Sequence, residues 1–108
     1  MKLPTEVFGD VIVVHTPEEL VQDHAADAAE FLSGLEQLNI VVDMDGTESI
    51  DSMGLASLLD VQDELRSCGG DLKVVTTEAN NRKIFEITRL EHQIEVFSDV
   101  VDAIKSFN

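Results

Sequence analysis

A pair of short, mostly apolar runs encloses one long helical pattern in the middle of the chain, and this pattern leaves few possible folds. The runs are Asn39–Met44 (NIVVDM) and Asp71–Thr76 (DLKVVT). Apolar runs of this length without alternation are typical of strands buried on both faces of a parallel sheet. Between them, Ser52–Cys68 repeats apolar residues at helical spacing, and Gly69-Gly70 follows as a C-cap signal. The order strand, helix, strand predicts a parallel crossover and an α/β fold.

The N-terminal third of the chain adds a hairpin and a second helix. Glu6–Phe8 and Val11–His15 flank a turn and predict two antiparallel strands, which makes the sheet mixed. A helix is predicted over Val21–Leu38 from apolar residues three and four apart. Its start has two candidates: a capping box at Thr16–Glu19 with proline in the first turn, or a cap at Asp23.

The C-terminal third continues the alternation. A short helix is predicted over Asn80–Thr88 and a short strand over Ile94–Phe97, and Ser98 is expected to cap a last amphipathic helix. The length of 108 residues predicts that residues 1–108 form a single domain. We therefore expect a mixed, mostly parallel sheet of about four or five strands, faced by about four helices.

The charge balance excludes several classes of function. Seven basic and 22 acidic residues give a net charge of −15, which should repel nucleic acids and anionic membranes. A basic protein partner is permitted but not required. Tryptophan and tyrosine are absent, which argues against stacking on bases. No secretory signal is evident, and no apolar run reaches the roughly 18 to 20 residues that span a bilayer, so membrane insertion is not expected.

The cysteine and histidine residues give no sign of a metal site or a cofactor. The single cysteine, Cys68, excludes an internal disulfide, favours a cytoplasmic location, and is expected to be a small buried residue. His15, His24 and His92 show no ligand spacing with one another or with the cysteine. Because no glycine-rich phosphate loop is present either, no cofactor is expected.

One short motif suggests an enzyme. Asp43–Thr47 (DMDGT) follows a buried strand and resembles the nucleophile motif of haloacid-dehalogenase-like phosphatases, in which the equivalents of Asp43 and Asp45 act with Mg²⁺. Thr76 resembles that family's second motif. However, a hairpin and a long helix precede the motif, and no later acidic pair completes a Mg²⁺ site. A Mg²⁺-dependent phosphatase is thus a remote alternative to aspartates that solvate the end of a strand.

A wider set of segments resembles the STAS domain of bacterial anti-sigma factor antagonists, also called anti-anti-sigma factors. The resemblance covers nearly the whole chain and implies a mixed sheet faced by several helices. The matching segments, in order, are GDVIVV, NIVVDM, IDSMGL, the helix that ends in GG, DLKVV, RKIFEITRL and IEVFSDVVDAI.

The resemblance implies a protein-binding switch and not an enzyme. Ser52 corresponds to the serine that a partner phosphorylates, and Asp51 to the aspartate before it. The implied partner is an anti-sigma factor with a histidine-kinase-like ATPase fold that acts as a serine kinase. Unphosphorylated antagonist binds it and releases a sigma factor, phosphorylation blocks binding, and a phosphatase reverses the modification. Many members have GELD where this chain has EELV, so Asp23 or Val21 occupies a partner-contacting position.

The residue types around Ser52 suit such a switch. A serine at the start of a helix is reachable, and its phosphate would meet free backbone N–H groups. Gly54 costs the helix about 1 kcal/mol relative to alanine, which we interpret as a place where a partner approaches closely. Met53 is expected to be an exposed, adaptable contact, or else to fold back onto the core. A plain N-cap role for Asp51 or Ser52 is the alternative interpretation. Thr47 and Ser49 are turn residues or secondary phosphorylation sites.

A different function remains open within the same resemblance. The chain is then a STAS adaptor or scaffold in a signalling complex, or an accessory of a sulfate-type or lipid transporter, and Ser52 carries no switch.

Overall fold

A five-stranded sheet organises the chain in the computed structural model, which describes residues 1–107 without the side chain of Asp23. The strands are β1 (Thr5–Phe8), β2 (Val11–His15), β3 (Glu19–Leu20), β4 (Asn39–Asp43), β5 (Ser49–Ile50), β6 (Asp71–Val75) and β7 (Val96–Phe97). The order in the main sheet is β1-β2-β4-β6-β7. Only β1 is antiparallel to its neighbour. The second sheet is a parallel pair, β3 with β5.

Within the described residues, four helices cover the two faces of the main sheet unequally. They are α1 (Gln22–Ser33), α2 (Ser52–Ser67), α3 (Ala79–Ile87) and α4 (Val100–Lys105), with a 3-10 turn at Leu90–His92. One face packs against α1, α2 and α3, and the opposite face packs against α4. Because both faces are covered, the central strands are apolar at successive positions, as the sequence indicated.

A buried lysine holds α4 in place. Lys73 lies in β6 on the α4 face and is 6% exposed. Its ammonium group donates to the carbonyl and the hydroxyl of Ser106, at 3.2 and 2.8 Å, and lies 4.3 Å from the ring centroid of Phe107. The lysine in the apolar run of β6 thus satisfies the end of α4 and packs on an aromatic ring, so its burial is compensated.

The α/β prediction, with its mixed sheet and four helices, is confirmed, but several boundaries differ. The first helix spans Gln22–Ser33 and not Val21–Leu38, and its N-cap residue, Val21, makes no side-chain bond. Both predicted caps of this helix are therefore wrong. Glu19–Leu20 pairs as a strand where the capping box was expected, and Asp23 already lies within the first turn of the helix.

Two predictions near the chain's C-terminal half are also wrong. The last helix is capped by Asp99 and not by Ser98: the Asp99 carboxylate accepts from the amide of Asp102 at 3.2 Å. Cys68 is exposed and not buried. It is the C-cap residue of α2, where the chain already leaves the packed face of the helix.

Candidate functional site

The site lies beyond the carboxyl ends of two neighbouring parallel strands, β2 and β4. Each strand is followed by one short strand and one helix, β3 and α1 in the first case and β5 and α2 in the second. Pairing of β3 with β5, together with the amides of Glu48 and Ser49 donating to the carbonyl of Glu18, holds the two connections side by side. The first turns of α1 and α2 are therefore neighbours.

Asp51 joins these two helix starts. It is the N-cap of α2, and its Oδ1 accepts from the amide of Gly54 at 2.9 Å. Its Oδ2 accepts from the amide of Gln22 at 3.3 Å, at the start of α1. Gln22 has a φ of 39°, in the left-handed region that non-glycine residues rarely adopt. The predicted cap role of Asp51 is confirmed, and the second hydrogen bond is one that the sequence did not indicate.

Ser52 and Met53 are the exposed residues of this first turn. Ser52 is the first residue of α2, and Met53 is 57% exposed, so the interpretation that Met53 folds back onto the core is wrong. Their amides lie among the first N–H groups of a helix, which have no intrahelical acceptor. One turn further, the Ser57 hydroxyl donates to the carbonyl of Met53 at 2.9 Å. Of these two serines, Ser52 is at the more accessible position.

Gly54 has an intramolecular explanation. A Cβ at this position would lie 2.2 Å from the carbonyl oxygen of Leu20 and 2.9 Å from Cγ1 of Ile50. Gly54 is itself buried. The glycine is therefore required because α2 begins directly against β3 and β5. This replaces our interpretation that a partner's approach explains it.

A buried polar network that the sequence did not reveal holds the segment before Ser52. Thr47 is 1% exposed, and its Oγ1 lies 2.6 Å from both the carbonyl of Pro17 and Oγ1 of Thr16. A carbonyl can only accept, so the Thr47 hydroxyl donates to Pro17 and accepts from Thr16. On the other side, the side-chain amide of Asn81 donates to the carbonyl of Thr47 at 2.7 Å. Burial excludes Thr47 as an accessible phosphorylation site, whereas Ser49 is exposed.

The two aspartates of the phosphatase-like motif stabilise the end of β4. Asp43 contacts Nδ1 of His15 at 3.1 Å and accepts from the amide of Asp45 at 3.0 Å. Asp45 accepts from the amide and the hydroxyl of Thr77, at 2.7 and 3.0 Å. Among the side chains that the structure describes, no group of three or more His, Cys, Asp or Glu residues could hold a metal ion. The contacts of Asp43 and Asp45 with neighbouring loop residues support the interpretation of strand-end aspartates.

Asp23 is the one candidate partner-binding residue whose side chain lies outside the described part of the structure. Its backbone belongs to the first turn of α1, beside Gln22 and therefore near Asp51.

A helix that could span a lipid bilayer, by its length and its apolar character, is not found in the described part of the chain.

The fold is that of a STAS domain. The STAS domain family model matches residues 2–103, and the chain belongs to this family. A comparison with curated protein sequences gave no match.

Solved structures from bacteria share the fold over nearly the whole chain. A proposed anti-sigma factor antagonist from Thermotoga maritima is 17% identical, with a TM-score of 0.86 over 96% of this chain and 92% of that one. SpoIIAA of Bacillus, an anti-sigma factor antagonist solved with and without phosphorylation, is 18% identical in its phosphorylated form, with a TM-score of 0.73 over 99% of this chain and 100% of that one.

A transporter also contains a similar structure. Murine Solute Carrier 26 family member A9, an anion transporter, is 16% identical, with a TM-score of 0.72 over 92% of this chain and 18% of that one. At these identities the matches show a shared fold, and the function has to be argued from the site.

Proposed function

We propose that this chain is an anti-sigma factor antagonist whose binding to its partner is controlled by phosphorylation of Ser52. The partner is an anti-sigma factor that acts as a serine kinase with a histidine-kinase-like ATPase fold, and a phosphatase restores the binding form. The observation that carries the proposal is an exposed serine at the first position of α2, on the fold of SpoIIAA, which has itself been solved in a phosphorylated form. Both partners would act in the cytoplasm.

The helix start accommodates a phosphate without unfolding the domain. A phosphoserine carries about −1.5 to −2 charges and accepts from backbone N–H groups at a helix N-terminus. The amides of Ser52 and Met53 are the available donors there. Residues 16–54, which form both helix starts, contain no lysine or arginine. Any cation near the phosphate therefore comes from another part of the chain or from the partner.

The inhibitory effect is expected to be local. Added to a net charge of −15, one phosphate changes the overall field little. It would instead occupy the space beside the exposed Met53 side chain and would have to be desolvated when the partner closes on the helix start. Asp51, Ser52, Met53 and the nearby Asp23 are the proposed contact residues, and Gly54 allows α2 to begin close to β3.

The test is capture of partners from the native cell lysate, with the captured proteins identified by mass spectrometry. Wild type and Ser52→Ala should capture an ATPase-type anti-sigma factor. Ser52→Asp should bind it at least tenfold more weakly, about 1.4 kcal/mol. Ser67→Asp is the matched control, since it adds the same charge at the opposite, exposed end of α2. Equal capture by all four proteins would reject the switch.

An adaptor without a switch is the second candidate function. It is favoured by the structural match to part of the murine anion transporter. In the same capture experiment, this function predicts one transporter or scaffold component bound equally by wild type, Ser52→Ala and Ser52→Asp.

A further inference from the structure

We propose that Thr47 and Asn81 are positioning residues for Ser52, and that they make α3 part of the switch. They do not touch the phosphorylated hydroxyl. They hold the segment that presents it, and this inference rests on the proposed function of Ser52.

The link between α3 and this segment is short and buried. Asn81 lies in α3 and is 1% exposed, and its side-chain amide donates to the backbone carbonyl of Thr47 at 2.7 Å. Thr47 is also 1% exposed, so water does not readily replace this hydrogen bond. A buried carbonyl that loses its donor is costly, and the chain around it tends to move until the group finds another partner.

The Thr47 side chain fixes the same segment from the other side. Its hydroxyl donates to the carbonyl of Pro17 and accepts from Thr16, both at 2.6 Å, in the connection between β2 and β3. Thr47 is therefore held between α3 and the connection that leads to α1. A displacement of α3 would be transmitted to this point through one hydrogen bond.

Few residues separate this anchor from the phosphorylated serine. The amides of Glu48 and Ser49 donate to the carbonyl of Glu18 at 2.8 and 3.2 Å, and β5 then pairs with β3. Ser52 follows directly after the cap residue Asp51. Because hydrogen bonds to neighbouring segments hold most of the residues between Thr47 and Ser52, a shift at Thr47 moves the start of α2. A kinase loses rate steeply when its acceptor hydroxyl is misplaced.

The first readout concerns the chain alone. Amide hydrogen exchange at Glu48 and Ser49 reports how firmly the segment is held. In Thr47→Val and Asn81→Leu, which remove the hydroxyl and the amide donor, exchange at these two amides should be about tenfold faster than in wild type. Thr47→Ser keeps the hydroxyl and should restore slow exchange.

The matched control is Gln62→Leu. Gln62 lies further along α2 and is also 1% exposed. Its side-chain amide donates to the carbonyls of Leu72 and Gln93 at 3.1 and 3.0 Å. This variant loses a comparable buried network and should lower the melting temperature. Exchange at Glu48 and Ser49 should nevertheless equal wild type, measured well below the melting temperature of every variant.

The second readout is phosphorylation of Ser52 by the captured kinase. Thr47→Val and Asn81→Leu should lower kcat/KM at least fivefold and weaken partner capture, while Thr47→Ser and Gln62→Leu should match wild type. Unchanged exchange in Thr47→Val and Asn81→Leu overturns the inference. So does faster exchange combined with wild-type kinase kinetics and capture. If wild type itself captures no serine kinase, the proposed function fails, and the exchange comparison alone decides whether the two residues hold the segment.

Discussion

The two ends of α2 are packed in the same way but are used differently. At its start, Gly54 lies against the carbonyl of Leu20, and a Cβ there would be 2.2 Å from that oxygen. Just beyond its end, Gly70 lies against the carbonyl of Leu38, where a Cβ would be 2.1 Å away. In both places a glycine lets the helix approach a neighbouring backbone. The close packing of α2 is thus a property of both ends.

The side chains at the two ends differ. At the C-terminal end the helix anchors itself: Arg66 donates to Asp71 and to the carbonyl of Gln93, both at 3.0 Å. At the N-terminal end the anchors are backbone contacts, the Asp51 cap and the network of Thr47 and Asn81. Ser52 and Met53 remain exposed there. A helix start can thus be held firmly while its exposed side chains stay free for a partner.

Replacing the glycine at either end of α2 should change stability most, because each glycine lies against a backbone carbonyl. Gly54→Ala and Gly70→Ala should each lower the free energy of unfolding by about 3 kcal/mol, because the added methyl group overlaps a backbone carbonyl. At Gly54 this exceeds the roughly 1 kcal/mol that alanine gains as a helix former. Gly46→Ala is the control, since no atom lies within 4 Å of the Cβ position. Urea unfolding measures all three. Wild-type stability of Gly54→Ala or Gly70→Ala would show that the nearby carbonyl does not require a glycine at that position.

A smaller effect is expected from the cap at the N-terminal end. Asp51→Ala should lower the free energy of unfolding by about 1 kcal/mol, because the amide of Gly54 loses its acceptor. Asp51→Asn retains an acceptor and should lose only a fraction of this. The measurement is again urea unfolding of the isolated chain. Equal losses in the two variants would mean that the charge of Asp51, and not its cap bond, carries the effect.

The ion pair of Arg66 with Asp71, at the C-terminal end of α2, should contribute less to stability than the Asp51 cap at its start. Arg66→Ala is expected to lower the free energy of unfolding by about 0.5 kcal/mol, since the pair with Asp71 is partly exposed and therefore screened by salt. Unfolding in low salt and in high salt separates the contributions, and the difference from wild type should shrink in high salt. Phosphorylation of Ser52 should be unaffected. Slower phosphorylation of Ser52 in this variant would contradict the view that the C-terminal end of α2 only anchors the helix.

The smallest effect on stability, combined with a clear effect on binding, is expected at Met53. Met53→Ala should change the free energy of unfolding by less than about 0.5 kcal/mol, because the side chain is exposed. Its loss should weaken partner binding about fivefold, as expected for an apolar contact within an interface. Titration of the purified partner with each protein gives the dissociation constants. Unchanged affinity would exclude Met53 from the contact surface.

The α/β order, the central strands, and a helix that begins at Ser52 with Asp51 or Ser52 as its cap could be predicted from the amino-acid sequence. These follow from local patterns: apolar runs in β4 and β6, helical spacing in α2, and Gly69-Gly70 after it. Such signals persist because strands buried on both faces and amphipathic helices require them wherever they occur.

The contacts that hold that helix start in place could not be predicted and became visible in the folded structure. The pairing of β3 with β5 places a strand where the sequence predicted a capping box at Thr16–Glu19. The bonds of Thr47 to Thr16 and Asn81 join residues 31 and 34 positions apart. The reason for Gly54 lies in the carbonyl of Leu20. A two-residue strand, a buried threonine and a glycine against a distant carbonyl leave no periodic trace in the sequence, because their partners are brought together only when the sheet and helices have packed.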